Sequence, residues 1–588
     1  MPMLVLSRDL RPPYLTWPFL ALAVLFVSLA VIGGFRSYTP TPFWDSWGIY
    51  QFVEKVSTGD LSAWWALHNE HRILLTRVLQ WLDIRLFDGS MVFLVAINYA
   101  MASAICLLFL RALADAVPVG KSSGMRLILA CLICALSFSW LQMENFTWDY
   151  QSQFFGAQLF PLLGFYALYR ARRVSPFGDG PFIAAVLAGI LSVGTMANGI
   201  LALPAFAVLA WIYGAGRVRV GALVAVSILM AGLYLLGYHT PGGQHSSLFA
   251  ALIEHPVLLA NHTLIYLGGP IYHLLGMRHS GLALVVGLFV VLSALFLAVR
   301  SLRDPRQHAL ELALLAFVAY VIGTALITSA GRIHFFEDRP YLPSRYMTPV
   351  LMAWSALLIA FAARFAHRLD DRRLRPIMVG AALALLLLLT PFQFLALQTH
   401  DDRIFLQYAS DLWAPTSHEE QNFSRSITAL ALELGVQDSA RITATFPEVD
   451  MALALARPAI AHGWSAFGDP LLADAGARLG TRIGEVPGRV CLGHLDGIAP
   501  VDGDARYLRF SGWIYARHDT SVPRSVLLVG RDRRILGYAL TGRPRPDVER
   551  AVGGAAALSG FEGFLPAGSS YAKALLVGSD PDCRLTLP

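Results

Sequence analysis

Residues that could do chemistry are concentrated in one hydrophilic stretch, residues 36–90, which follows the first apolar segment. It contains Phe43-Trp44-Asp45-Ser46-Trp47, in which one carboxylate lies between two tryptophans. Burial and neighbouring groups set the pKa of such a carboxylate, so Asp45 is a candidate general base, although interfacial tryptophans also occur simply as membrane anchors. Further along, His68-Asn69-Glu70-His71-Arg72 adds a second acid, two imidazoles and a guanidinium. We therefore assign the catalytic role to Asp45 and name Glu70 as the second candidate.

Arginines that could hold a phosphate occur in two places. Arg72 ends the first cluster, and residues 329–345 contribute Arg332, Arg339 and Arg345. A guanidinium can pair with two phosphate oxygens at once, so these four side chains are the predicted phosphate ligands. Arg345 lies where a polar loop meets the next apolar segment, and there the alternative interpretation is a snorkelling membrane anchor.

Aromatic and polar side chains in two segments match the surface of a sugar. Rings stack on the apolar face of a sugar, while carboxylates, amides and imidazoles bind its hydroxyl groups. The predicted sugar- or acceptor-binding residues are Trp44, His68, His71, Glu144, Trp148 and Asp149. For residues 142–153 the alternative is an ordinary polar loop with interfacial tryptophans. His68, Glu70 and His71 also suit a metal ion, but the spacing identifies no complete ligand set, so no metal site is predicted.

The high apolar content of the chain predicts that helices spanning a membrane hold these residues in place. The chain has 588 residues, 56% hydrophobic and only 15% charged, against about 25% charged in a soluble protein. The net charge of +6 does not point to nucleic acid, because the arginines gather in short loops between apolar segments. The predicted fold class is a polytopic α-helical membrane protein with about eleven transmembrane helices. The predicted spans are Trp17–Phe35, Met91–Leu110, Leu127–Trp140, Phe154–Tyr169, Pro181–Ala197, Leu201–Tyr213, Gly221–Tyr238, Gly281–Val299, Leu310–Ile327, Met347–Phe365 and Ile377–Leu395.

The arginine-rich loops set the expected orientation. They alternate with the remaining loops, and loops of this kind face the cytoplasm. The segments predicted to face outward are therefore 36–90, 141–153, 239–262, 329–345 and everything after Gln398. Arg72–Phe87 is amphipathic and is expected to lie along the membrane surface. Leu264–Met277 is interrupted by Gly268-Gly269-Pro270 and is interpreted as a re-entrant or interfacial segment.

From Gln398 the composition becomes that of a soluble α/β region. Residues 398–488 are interpreted as a mixed connecting region, and short alternating runs with glycine-rich turns predict a small β-sandwich over residues 489–588. Cys491 and Cys583 bracket this domain. In an oxidising compartment they can form a disulfide, with two unrelated buried thiols as the alternative. Residues 1–397 are then the catalytic membrane domain.

Together these features resemble the membrane-embedded GT-C glycosyltransferases. The shared features are many helices, a cytoplasmic N-terminus, an acid in a long first outer loop with surface helices, and a soluble C-terminal domain. The resemblance covers roughly Met1–Leu397. Its specific matches are Asp45, at the place of the family's catalytic carboxylate, and Arg345-Tyr346, where a helix starts at the outer side.

The resemblance implies an inverting glycosyltransferase in a bacterial inner (cytoplasmic) membrane, with a periplasmic C-terminal domain. Its donor would be a polyprenyl-phosphate-linked sugar, since no nucleotide is supplied outside the cytoplasm. Its acceptor would be lipopolysaccharide (O-antigen), another surface glycan or a pilin. An Asp-x-Asp pair is missing here, so a divalent metal stays an open alternative, and no other cofactor is expected. Some family members end in a carbohydrate-binding-like β-domain, to which residues 489–588 would correspond.

Two other functions stay open. An O-antigen ligase or polymerase would carry its main basic loop late in the chain and would need no acid in the first loop. A lipid or saccharide transporter would need ionisable residues deep within its spans, and the eleven predicted segments are nearly free of them. No nucleic-acid partner is expected for any of the three.

Overall fold

A computed structural model describes most of the chain. The described residues are 16–118, 123–173, 178–238, 248–336, 342–369, 371–397, 399–400, 415–416, 418–473, 475–571 and 574–587. The chain forms two compact units. The helical unit consists of Met1–Phe35, Trp64–Val78 and Leu94–Leu397, and the sheet unit consists of Arg36–Ala63, Leu79–Phe93 and Gln398–Pro588.

The helical unit is built from long apolar helices, which satisfy every backbone polar group internally, as a bilayer requires. Up to residue 397 the chain has seventeen α-helices among the described residues, of which α2 and most of α3 belong to the sheet unit. They are α1 (Trp17–Ser37), α2 (Gly48–Ser57), α3 (Leu74–Phe87), α4 (Val92–Ala116), α5 (Ser123–Ser137), α6 (Met143–Thr147), α7 (Ser152–Arg172), α8 (Asp179–Val193), α9 (Ala202–Ile212), α10 (Arg217–Leu235), α11 (Leu248–Glu254), α12 (Pro256–Leu267), α13 (Gly269–Leu274), α14 (Ser280–Ser301), α15 (Ala309–Gly331), α16 (Met347–Arg364) and α17 (Leu374–Phe394).

Eight helices within the described ranges are long and apolar enough to cross a membrane, so the predicted count of about eleven is not confirmed. A ninth is added if α11 and α12, which are bent by 116° at their junction, count as one broken span. The other predicted segments are helical but fail for physical reasons. At 15 and 11 residues, α8 and α9 are shorter than the roughly 20 residues that a bilayer requires. The 21 residues of α7 are long enough, but polar groups such as Gln153 and Gln158 reduce its hydropathy.

Glycines bring α12 and α14 into direct backbone contact. A Cβ atom on Gly268 would lie 1.9 Å from the Ala283 carbonyl oxygen, and one on Gly287 would lie 1.9 Å from the Leu264 oxygen. Only glycine fits at either position, as is common where two membrane helices pack closely. The interruption expected near Gly268-Gly269 is present, since α12 ends at Leu267 and α13 begins at Gly269.

From Leu492 onward the sheet unit forms one antiparallel sheet of seven strands, curled into a half-barrel, and a separate two-stranded sheet pairs Thr399–His400 with Pro415–Thr416. Its strands are β1 (Leu492–Val501), β2 (Asp504–Tyr515), β3 (Ser525–Val529), β4 (Ile535–Arg543), β5 (Gly560–Pro566), β6 (Leu575–Ser579) and β7 (Cys583–Thr586), in the spatial order β1-β2-β5-β4-β3-β6-β7. The predicted sandwich of two sheets is therefore replaced by a single sheet. Register shifts at Leu495/Gly497, Leu528/Val529 and Thr541/Arg543 help to curve it.

A disulfide links Cys491 to Cys583, across 92 residues of sequence, as predicted for an oxidised pair. The bond joins the chain just before β1 to the first residue of β7. Both sulfur-bearing residues belong to the buried core of the half-barrel.

Residues 398–488, predicted as a mixed connecting region, contain helices that belong to the sheet unit. These are His418–Glu433, Ser439–Ile442, Val449–His462, Pro470–Ala473 and Ala475–Arg478, and a further helix, Pro546–Val552, lies between β4 and β5. Buried ion pairs fix them to the sheet. Arg441 binds Glu562 of β5 with 2.8 and 2.5 Å hydrogen bonds, and Asp438 accepts bonds of 2.7 and 2.6 Å from Arg509 of β2.

The first hydrophilic segment is divided between the two units. Residues 36–63 and 79–93 pack with the C-terminal residues of the sheet unit, where Thr41 Oγ1 donates to the Arg425 carbonyl at 3.3 Å. The Tyr50 ring stacks on Trp464, with 6.2 Å between the ring centroids. Residues 64–78 belong to the helical unit. This division departs from the predicted boundary at residue 397, which kept the whole of residues 36–90 with the membrane helices.

Candidate functional site

Asp45 lies on a 3₁₀ turn, Trp44–Trp47, that leads directly into α2. The turn begins at Trp44 with a φ of +48°, a left-handed conformation that costs an aromatic L-residue about 1–2 kcal/mol. A hydrogen bond of 2.9 Å from the Trp44 N–H to the Thr445 carbonyl holds the turn in place. The Asp45 side chain is half-buried. The candidate base is therefore held on a fixed, strained piece of backbone.

The tryptophan after Asp45 has a packing role. The Trp47 side chain is completely buried, and its ring contacts Tyr50 and Phe467 at centroid distances of 6.3 and 6.4 Å. A membrane anchor would expose its ring, so Trp47 is a core residue of the sheet unit rather than an interfacial one. Trp44, a predicted sugar contact, is half-buried.

Glu70 and the two histidines form a tight turn in the helical unit. The backbone N–H groups of His68 and His71 donate to each other's carbonyl oxygens at 2.8 and 2.9 Å. Asn69 has a φ of +50°, which asparagine tolerates. The N–H of Ala197 donates to His71 Nδ1 at 3.3 Å, so the neutral ring carries its proton on Nε2, which lies 3.5 Å from Glu70 Oε1.

The two candidate acids belong to different units. Asp45 is part of the sheet unit, whereas Glu70 is part of the helical unit and forms a carboxylate–imidazole pair with His71. The ring of His68 packs against Tyr150, with 5.2 Å between the centroids. The structure thus places Glu70, His68 and His71 in one turn of the helical unit.

Arg72 is buried and donates hydrogen bonds to backbone carbonyls of the helical unit. Its side chain donates from Nε to the Tyr234 carbonyl at 2.7 Å, from Nη1 to the Trp65 carbonyl and from Nη2 to the Leu236 carbonyl. The guanidinium also lies over the rings of Trp65 and Tyr234. Because α10 ends at Leu235, the carbonyls of Tyr234 and Leu236 lie where a helix no longer offers backbone N–H partners, and Arg72 supplies donors for them. Arg72 therefore joins the first loop to the end of α10, and its role as a phosphate ligand stays a prediction.

A second buried arginine, Arg77, was missed at the sequence level. Its Nη1 donates to the carbonyl of Trp64 at 3.2 Å and to that of Ala66. Burial lowers the pKa of Arg77 from its ordinary value. The signal that could have found it is its position in the amphipathic segment Arg72–Phe87, where a guanidinium on a buried face needs carbonyl partners. Arg72 and Arg77 together hold residues 64–66.

The structure pairs Arg345, a predicted phosphate ligand, with Glu144, a predicted sugar contact. Arg345 Nη1 lies 3.1 Å from Glu144 Oε1, and the backbone N–H of Arg345 donates to Oε2 at 2.7 Å. The Ser344 hydroxyl donates to the same oxygen at 3.1 Å. The two charged side chains are only 9% and 17% exposed, so the pair lies mostly out of water.

Amide and hydroxyl groups extend this contact along the same two segments. Asn145 Nδ2 donates to the Arg345 carbonyl at 2.9 Å and to Thr348 Oγ1 at 2.6 Å. Thr348 Oγ1 donates in turn to Gln142 Oε1 at 2.5 Å. A small cavity with a mostly apolar wall adjoins this network. It is lined by Ala102, Ile105, Leu136, Ser137, Gln142, Phe155, Thr348, Leu351, Met352 and Ser355.

Two guanidinium groups meet at one aromatic ring. The Cζ atoms of Arg332 and Arg345 lie 5.6 and 5.4 Å from the centroid of the Tyr346 ring, and Tyr266 stacks on that ring at 5.5 Å. Within the part of the chain that the structure describes, Arg332 has no carboxylate partner, whereas Arg345 has Glu144. Among the described residues the cluster thus has two guanidinium groups and one carboxylate, and a phosphate site requires such cations. Arg339 lies outside the described residues.

Trp148 and Asp149 are buried where α6 leads into α7. Asn98 Nδ2 donates to the Trp148 carbonyl at 3.0 Å, and the Trp148 ring contacts Tyr150 at 6.2 Å. Asp149 begins a 3₁₀ turn and is 6% exposed. The amide oxygens of Gln151 and Gln153 are buried and accept no hydrogen bond from the described residues. Trp148 and Asp149 are thus packed inside the helical unit, and their role as sugar contacts stays a prediction.

Among all residues that the structure describes, there is no group of three or more His, Cys, Asp or Glu side chains that could hold a metal ion. Comparison with models of known protein families finds no match to this chain, and comparison with curated proteins finds none either. The function of this protein must therefore be inferred from the chemistry of these residues.

Proposed function

We propose that this protein is a glycosyltransferase that moves a sugar from a polyprenyl-phosphate donor to a periplasmic or cell-surface acceptor, with inversion at the anomeric carbon. The Asp45 carboxylate removes the proton from the acceptor hydroxyl as its oxygen attacks that carbon. The bond from the sugar to the phosphate oxygen breaks, and the phosphate leaves on its lipid. Cationic side chains stabilise the charge that develops on the leaving phosphate.

The backbone at Trp44 and Asp45 is the observation that supports this proposal most. A left-handed tryptophan is a strained residue, and such strain persists only where the surrounding structure holds it. Strained residues cluster at catalytic sites, because there a side chain must be aimed rather than merely accommodated. The carboxylate that follows this tryptophan is the one that the GT-C resemblance makes the base.

Replacement of Asp45 by Asn is the deciding experiment. Asn keeps the size of the side chain but cannot accept the proton, so transfer from a synthetic polyprenyl-phosphate sugar should fall by about a hundredfold or more. Donor binding and melting temperature should stay near those of the wild type. Asp60→Asn is the matched control, because Asp60 is an exposed carboxylate of the same loop that binds Ser62.

An O-antigen ligase or polymerase is the second candidate, favoured by the arginine cluster at Arg332 and Arg345 late in the chain. Such an enzyme needs those cations but no acid in the first loop. Normal transfer by the Asp45→Asn variant together with loss of transfer by Arg345→Ala would favour this second function and remove Asp45 as base. Glu70 would then be the next acid to replace.

A further inference from the structure

A cluster of arginines surrounds one aspartate where α4 and α7 end together. Asp115, in the last turn of α4, accepts a hydrogen bond of 2.8 Å from the Tyr166 hydroxyl. Arg170 Nη1 lies 3.6 Å from one Asp115 oxygen, and Arg173 Nη1 lies 3.4 Å from the other. Arg111 is exposed and lies four residues before Asp115 on α4, so the two side chains share one face of that helix. Two guanidinium groups therefore pair with one carboxylate, and a third lies one helical turn away on the same face of α4.

This cluster has more positive charge than a helix contact requires. One arginine would neutralise Asp115 and join α4 to α7, yet among the described residues three arginines lie there, two more guanidinium groups than carboxylates. The Asp115 side chain is 10% exposed, whereas Arg170 and Arg173 are 41% and 54% exposed. Guanidinium groups paired on one side and open on the other can bind a further anion, and phosphate suits their planar geometry.

The position of the cluster identifies the anion. Leu107 of α4 is 65% exposed and lies four residues before Arg111, so the two side chains share one face of the helix. An acyl chain packed along Leu107 would bring its headgroup to the level of Arg111. Basic clusters at the ends of membrane helices bind anionic headgroups in this way.

We propose that Arg111, Arg170 and Arg173 form a binding site for the headgroup of an anionic phospholipid. The lipid phosphate pairs with the exposed guanidinium groups while Asp115 and Tyr166 hold those groups together. A zwitterionic headgroup would add a cation next to three arginines, so the site prefers a lipid with a net negative charge. The proposal does not depend on the transferase activity or on which side of the membrane this end of α4 faces.

Native mass spectrometry of the purified full chain tests the preference for lipid. The protein is equilibrated with equal amounts of phosphatidylglycerol and phosphatidylcholine, and the lipids that stay bound are counted. Wild type should retain phosphatidylglycerol preferentially. The double variant Arg111→Gln/Arg170→Gln keeps Arg173 to pair with Asp115, and it should reduce that preference by about tenfold, because each exposed charge pair contributes a factor of about three.

A charge-matched control separates a site from general attraction. Arg300→Gln/Arg303→Gln removes two exposed arginines at the end of α14 and should leave the preference unchanged. An equal loss in this control, or no preference in wild type, would overturn the proposal. Displacement of the lipid by inorganic phosphate at the same concentration would instead identify a site for free phosphate and would also overturn it. Arg111→Lys/Arg170→Lys keeps both charges without the planar groups and should retain most of the preference, and a melting temperature of the glutamine variant equal to that of wild type shows that its loss is not unfolding.

Discussion

Arg72 offers a sharp test, because the structure gives it a role different from the one its sequence context predicts. Its fork donates to three backbone carbonyls and is 4% exposed. Lysine keeps the charge but presents a single ammonium, which can reach one of these carbonyls and leaves two unpaired. A hydrogen bond from a charged group contributes about 1.5–3 kcal/mol, so Arg72→Lys should lower the free energy of unfolding by about 3–6 kcal/mol.

The assay is denaturant or thermal unfolding of the purified protein in detergent, together with titration of the polyprenyl-phosphate donor. Arg85→Lys is the control, since Arg85 is exposed and, among the described residues, donates one hydrogen bond, to Ser57 Oγ at 2.8 Å. The control should change stability by less than about 0.5 kcal/mol. The reasoning fails if Arg72→Lys is as stable as the control and instead weakens donor binding, because Arg72 would then be a phosphate ligand.

Two further predictions concern the Arg345 pair and the disulfide. Glu144→Ala and Arg345→Ala should each destabilise the protein by about 3–5 kcal/mol, since either change leaves a mostly buried charge without its partner. The double variant should recover part of that loss, and strictly additive effects on the unfolding free energy would contradict the pairing. Cys491→Ser/Cys583→Ser should destabilise the sheet unit by about 4–5 kcal/mol, as expected for a closed loop of this length. Unchanged resistance to proteolysis with and without a reducing agent would refute that expectation.

The sequence alone predicted the long apolar helices and the cysteine pair, because each depends on residues close together in the chain or on a simple residue count. Continuous apolar runs located α1, α14 and α15 closely, because a helix in lipid needs little beyond length and hydropathy. The same criterion failed at α7, α8 and α9. Their polar content or short length is compensated by protein packing, which no single-segment pattern reports. The cysteine pair was found because two cysteines bracketing one domain are a simple signal.

Features that depend on distant partners were not predictable. Alternating strands with glycine-rich turns are the same for one curled sheet as for two packed sheets, so the half-barrel was taken for a sandwich. For Arg72 and Arg345 the local pattern indicates charge and an approximate depth. It does not say that one would end on carbonyls of α10 and the other on Glu144. The GT-C resemblance, the catalytic role of Asp45 and the donor lipid stay predictions.

Because residues 36–63 pack with C-terminal residues, they cannot complete their fold until those residues have been synthesised. Thr41 and Pro40 hydrogen-bond to residues 384 and 425 positions later, so these partners do not yet exist when the loop leaves the ribosome. At roughly 5–20 residues per second, the segment waits on the order of 20–80 s for them. During that interval Trp47 and Tyr50, which end fully buried, have no core to enter. In a chain truncated after residue 397, Trp47 and Tyr50 would never gain the core in which they are buried. An isolated C-terminal fragment would lack residues 36–63, which pack with it in the sheet unit.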